Sequence, residues 1–136
     1  MRIEPYLFFE GRCEEALDFY HKALGAEVQE LTHYEDSPAP TSPGHGRKGK
    51  VMHASVRVGE STVFASDGRC TGQSVFQGFA LSLTIREELE AERLFAALAD
   101  GGKIKVPLAK TFFSPRYGMV TDRFGVLWIV YVATAE

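Results

Sequence analysis

The sequence predicts an α+β fold made of two copies of a strand–helix–strand–strand–strand (βαβββ) module. Three observations lead there. The run Glu14–Val28 (EEALDFYHKALGAEV) has an acidic helix start, an apolar helical stripe, a Leu-Gly ending and an immediate strand. The run Glu88–Val106 (ELEAERLFAALADGGKIKV) repeats that order. Each run follows a short strand-like stretch and precedes two alternating segments. A pattern written twice in one chain is the mark of internal duplication. The expected organisation is one domain, 1–136, with a first module at 1–70 and a second at 78–136.

Ile3–Phe9 is short, aromatic and β-branched, so it reads as a strand, with Pro5 at an irregular or edge position. Cys13–Leu24 reads as a helix, because Ala16, Leu17, Phe19, Tyr20, Ala23 and Leu24 fall at helical spacing. Glu14 and Glu15 suit its positive end, and Gly25 is placed to stop it. Glu27–Tyr34 is the next strand. Glu35–Gly49, rich in Pro, Gly and Ser, reads as a loop. Lys50–Val58 alternates, with Met52, Ala54, Val56 and Val58 on one face and His53, Ser55 and Arg57 on the other. Gly59-Glu60 turns the chain into Ser61–Ser66.

Asp67–Gln77 is a linker, after which the plan restarts. Gly78–Ile85 is a strand and Glu87–Ala99 a helix whose stripe is Leu89, Leu94, Phe95 and Leu98. Asp100-Gly101-Gly102 ends it. Lys103–Val106 is a short strand and Pro107–Phe113 a connector or arm. Pro115–Thr121 and Val126–Val132 pair around a turn at Asp122–Gly125. Modules of about 60–70 residues are marginal alone. Sheets laid side by side share burial and curl into an open mixed sheet with a concave groove, the helices on its outer side.

Composition narrows the function classes. The net charge is −3, and the densest basic spot, Gly46–Lys50, is short, as in a solvated loop. Nucleic acid is therefore not expected as a partner. No apolar run approaches the roughly 20 residues of a membrane span, and no signal segment opens the chain, so a cytoplasmic location is expected. Two cysteines make neither a disulfide framework nor a metal quartet. Cys13 sits near a helix start, which can lower a thiol pKa, although a plain reduced thiol is the simpler expectation.

His53 is the first site candidate, mid-strand with Ser55 and Arg57 on the polar face. Its apolar neighbours suit the helix side, so His53 is expected to face the groove, where it is either an acid, base or hydrogen-bond donor or a plain hydrogen-bonded strand histidine. Asp67 ends the adjoining strand and could pair with it; as a plain turn residue it would precede Gly68. Arg116, beside Tyr117, suits an anionic ligand or a solvated hairpin. Phe112, Phe113 and Trp128 either wall an apolar pocket or fill core. His21, His33 and His45 are scattered. Neither a Gly-x-Ser-x-Gly nor a P-loop pattern occurs.

The order of Pro5–Phe9, Glu14–Val28, Met52–Ser55, Ala65–Asp67, Thr111–Phe113 and Val120–Trp128 resembles the vicinal oxygen chelate superfamily. That group includes glyoxalase I, extradiol dioxygenases and bleomycin-binding proteins. The likeness is to its PhnB-like, or 3-demethylubiquinone methyltransferase-like, branch. It implies a homodimer, with arms such as Glu35–Gly49 or Pro107–Phe113 reaching across. The branch would have an acidic residue before Thr-Phe-Trp where this chain has Lys110-Thr111-Phe112-Phe113. Metal ligands of metal-using relatives would fall at Pro5, near Phe64–Ser66, at Phe79 and at Ile129. Three of these carry no side-chain donor, so no metal and no other cofactor is expected. A methyl donor would need a Gly-rich strand-to-helix turn that the chain lacks. Two readings stand: a protein binding a small organic ligand without metal, and a metal-independent isomerase or lyase using His53 and Asp67. Whether it is an enzyme stays open.

Overall fold

The computed structural model describes residues 1–36 and 48–134. Most of the predicted 35–49 loop, with His45, lies outside them. The chain divides into two compact units, Met1–Ser74 and Val75–Glu136. Each is a βαβββ module with a four-stranded mixed sheet, as the duplication predicts.

In the first unit, β1 (Tyr6–Phe8), α1 (Cys13–Leu24), β2 (Glu27–His33), β3 (Val51–Val58) and β4 (Ser61–Ser66) follow in chain order. The sheet order is β1-β4-β3-β2, with β1 parallel to β4 and the other pairs antiparallel. Strand β1 is shorter than predicted. Pro5 has no N–H for a ladder, and its carbonyl accepts from Phe64 N (2.9 Å), so regular pairing begins only at Tyr6. Helix α1 ends as expected: Gly25 adopts φ 72°, and Gly25 N and Ala26 N donate to the His21 and Tyr20 carbonyls. Its buried face is Cys13, Ala16, Leu17, Tyr20 and Ala23. Leu7, Ala54, Val56 and Ala65 are buried with them, so one face of the sheet forms the core. The opposite face carries every second residue: Tyr6, Phe8, His53, Ser55, Phe64.

The second unit contains β5 (Leu81–Ile85), α2 (Glu88–Ala99), β6 (Lys103–Ala109), β7 (Tyr117–Thr121) and β8 (Leu127–Val132). Its order, β5-β8-β7-β6, repeats the first pattern, again with first and last strands parallel. Ala91, Leu94, Phe95 and Leu98 form the buried stripe of α2. Each of the three larger ones contributes about 1.5–3 kcal/mol by leaving water. Leu89 departs from the expected stripe, being 81% exposed. At the second position of the helix it points outward, and Ala91 takes the core place. Strand β6 runs past Pro107 to Ala109, longer than predicted. An edge strand tolerates a missing donor, and the β6–β7 register shifts between Val106 and Ala109 to pass it.

Candidate ligand-binding face

The sheet face of the first unit that turns away from α1 gathers an aromatic cluster. Register places Tyr6 opposite Phe64 and Phe64 opposite Ser55, and His53 lies two residues from Ser55 on the same face. The His53 ring sits 5.6 Å from Tyr6 and 5.4 Å from Phe64, and Tyr6 stacks on Phe8 at 4.9 Å. Tyr6 Oη and His53 Nδ1 are hydrogen-bonded at 2.9 Å. Partial burial, with smaller effects from Tyr34 and Cys13, raises the Tyr6 pKa above its ordinary value, so the phenol keeps its proton at neutral pH. A neutral His53 that accepts that proton at Nδ1 carries its own on Nε2, free to donate to a ligand. Tyr6 and Phe8 remain 41% and 47% exposed, enough surface to meet a bound ring.

Tyr6, Phe8 and Phe64 were not among the sequence-based candidates. Their signal lay in register: β1 must pair with β4 before Tyr6 and Phe64 can be seen as neighbours of His53. Ser55 shares this face, half-buried. Arg57 is further along the same strand, where its guanidinium is 3.5 Å from Glu27, an exposed pair.

Asp67 does not reach His53. It is buried (1% exposed), and its carboxylate accepts three backbone N–H groups: Gly11 and Cys13 on Oδ1 at 2.9 and 2.7 Å, and Val51 on Oδ2 at 2.7 Å. It thus caps the start of α1 and ties it to β3. The expected His53–Asp67 pair is replaced by His53–Tyr6. Strand alternation places Asp67, two residues after core-facing Ala65, on the core side of the unit, where backbone donors compete for a carboxylate. Cys13 is the plain thiol of the simpler expectation: burial first, then Asp67 and Glu14, push its pKa upward despite the helix end. His21 donates from Nδ1 to the Ala26 carbonyl (2.8 Å), and His33 meets Glu14 at 2.6 Å, so neither joins the His53 cluster.

In the second unit, Trp128 is core rather than wall. It is 3% exposed, and its indole N–H donates to Asp122 Oδ2 at 2.8 Å. Residues 128, 130 and 132 of β8 face the core, so alternation excludes Trp128 from the open face. Arg116 is engaged by α2: its guanidinium lies 3.3 Å from Glu92 and 3.6 Å from Glu88, one helical turn apart. The anionic partner expected for it comes from the chain itself. Tyr117 does reach the open face, opposite Tyr131, whose hydroxyl accepts from Thr84 Oγ1 at 2.9 Å. Phe113 packs edge-on to Tyr117 at 5.1 Å, and Phe112 projects fully into solvent.

Two groups implied by this kind of fold can be tested against the residues. Among the described residues no three His, Cys, Asp or Glu side chains group as metal ligands. The positions where ligands would fall hold Pro5, Phe79 and Ile129, so the donor set does not fit a metal. S-adenosylmethionine does not fit the strand-to-helix links either. The α1 end is already occupied by the Asp67 carboxylate, and the β5–α2 link is Arg86-Glu87, without glycine.

Two modules with this strand order make the fold of the glyoxalase/bleomycin-resistance/dioxygenase group. A solved domain of that description from Frankia sp. EAN1pec has a TM-score of 0.67 over 98% of this chain and 95% of that one; at 13% identity the likeness is one of fold. The chain belongs to the PhnB-like family described as 3-demethylubiquinone-9 3-methyltransferase, which matches residues 1–131, within the vicinal oxygen chelate superfamily. It is 34% identical to Protein YjdN of Escherichia coli K12, over 100% of this chain and 98% of that one. The crystal structure of PA1353 from Pseudomonas aeruginosa has a TM-score of 0.86 at 40% identity, over 99% of both chains. A Bacillus cereus PhnB protein, titled a putative 3-demethylubiquinone-9 3-methyltransferase, has a TM-score of 0.79 at 28% identity, over 98% of this chain and 100% of that one.

Proposed function

We propose that this protein binds a small planar organic molecule against the aromatic face of its first unit, without a metal. The observation that carries this reading is the Tyr6–His53 hydrogen bond set among Phe8 and Phe64. Exposed rings supply apolar contact, and one oriented imidazole supplies direction, the usual division of labour in a small-molecule site. Methyl transfer, which the family description names, finds no support in the donor and turn geometry of this chain. The second reading, a metal-independent isomerase or lyase, rests on His53 with Tyr6 as its polar pair rather than on Asp67, which is committed to backbone. The protein acts as a cytoplasmic homodimer in this proposal.

The test is a thermal-shift screen of the full chain against planar aromatic metabolites and antibiotics. A ligand at about 100 times its Kd adds about 2.7 kcal/mol to native stability. We expect hits whose shift disappears in Phe8→Ala and shrinks in His53→Ala, with the melting point of the free protein nearly unchanged by Phe8→Ala. Hits that ignore both substitutions would move the site off this face.

A further inference from the structure

We infer that the second unit binds a small amphipathic carboxylate, an aryl or acyl acid, in a cavity beside the start of α2. The cavity, about 660 Å³, is walled by Leu89, Phe112 and Phe113, with Arg86 and Lys110 among its lining. That volume suits a small molecule. It is independent of the His53 face.

Two of its apolar walls are open to solvent: Leu89 is 81% exposed and Phe112 fully so. Yet the loop presenting the phenyl rings is tightly held. Thr111 N donates to the Ser114 carbonyl at 2.8 Å, and the buried Ser114 hydroxyl contacts the Arg116 and Val132 carbonyls, each at 2.7 Å. Phe112 and Phe113 meet edge-on at 5.1 Å. A tightly held loop displaying one ring in solvent and a second half-exposed is preorganised to receive an apolar body.

Charge supplies the other half. Among the described residues Arg86 and Lys110 form no ion pair, whereas nearby Arg116 holds Glu88 and Glu92. Glu88 is thus turned to Arg116, which leaves Glu87 as the lining acid against two cations.

The duplication shows what is missing. In the first unit the last β1–β4 pair is Phe8–Ser66, and Asp67, the residue after β4, caps α1 with its carboxylate. In the second unit the last β5–β8 pair is Ile85–Val132, and neither Val132, which faces the core as Asp67 does, nor Ala133 after it carries a carboxylate. Glu87, at the N-cap of α2, makes no side-chain cap hydrogen bond. Where the first module has a carboxylate at its helix start, the second has a cavity, two cations and exposed rings. A ligand whose carboxylate meets Arg86 and Lys110 and whose body lies on Leu89, Phe112 and Phe113 satisfies all of these features.

The experiment is an amide-shift titration of the ¹⁵N-labelled full chain with 1-naphthoate, with neutral 1-naphthalenemethanol, and with acetate. Naphthoate should move the amides of Leu89, Glu90 and Thr111–Ser114 and bind about tenfold or more tighter than either comparator. The exposed double substitution R86Q/K110Q should cost naphthoate about tenfold and leave the neutral analogue unchanged, while Phe112→Ala should weaken both. Equal binding of naphthoate and the neutral analogue overturns the proposal. So do shifts confined to amides around His53, which would speak only for the first face. So does a patch whose amides respond to protein dilution and not to naphthoate, because a second copy would then cover it.

Discussion

Asp67 gives its two oxygens to three backbone N–H groups in a place water does not reach. Asp67→Asn turns one acceptor into a donor facing donors, so at least one N–H loses its partner. The expected cost is about 3 kcal/mol, read as a lower urea midpoint at unchanged slope. A protein that kept its midpoint would show that the cap is not needed. His33 works in the opposite protonation sense. Its hydrogen bond to Glu14, at 2.6 Å, raises its pKa above the ordinary 6.5, with help from Glu35 and Asp36. A raised folded pKa means a stabilising contribution fully present below about 6.5 and lost as pH climbs through the folded value. The pair is partly exposed, so the effect is small. His33→Gln should therefore narrow its stability gap to the parent protein between pH 6 and pH 8. A gap that widens with pH would give the wrong sign.

At the scale of elements, the contact between α2, β6 and β7 turns on Gly118. A Cβ there would meet Phe95 Cε1 at 2.8 Å and the Leu108 backbone at 2.9 Å. Gly118→Ala should cost about 1–3 kcal/mol through overpacking, because backbone on one side and a buried ring on the other leave little room to move. Leu89→Gln, on the solvent side of the same helix, should change stability by no more than about 0.5 kcal/mol. If both substitutions cost the same in chemical denaturation, the assignment of core and outer faces to α2 is wrong. The element-level reading of the sequence was right about Cys13–Leu24 and about the recurrence of the module, where a helical period and a terminating glycine agree. It stopped β6 too early, since a proline inside a strand reads as a terminator until the strand is known to be an edge.

For the whole molecule, assembly is the open expectation. Strands β2 and β6 end their sheets, and Val28, Ile104 and Val106 on them are 45%, 50% and 40% exposed. Unpaired edges with apolar side chains invite a partner. Light scattering at micromolar concentration should give about twice the 15.1 kDa chain mass. A mass of one chain across that range would set the homodimer aside.

The sequence by itself determined the elements and their repetition. Helical and strand periods are local properties, and a helix start, stripe and stop written twice can be read without knowing any long-range contact. It also placed His53 on the face away from the helix, because alternation along one strand needs no partner strand. Tertiary structure decided which side chains meet. Tyr6 and His53 are 47 residues apart and become neighbours only once β1 pairs with β4 and β4 with β3. Asp67 and Trp128 looked like site residues because polarity and aromaticity are visible in a sequence, while burial is not. Alternation and backbone donors drew both into the core, and only the folded chain shows that their hydrogen-bonding groups are already used.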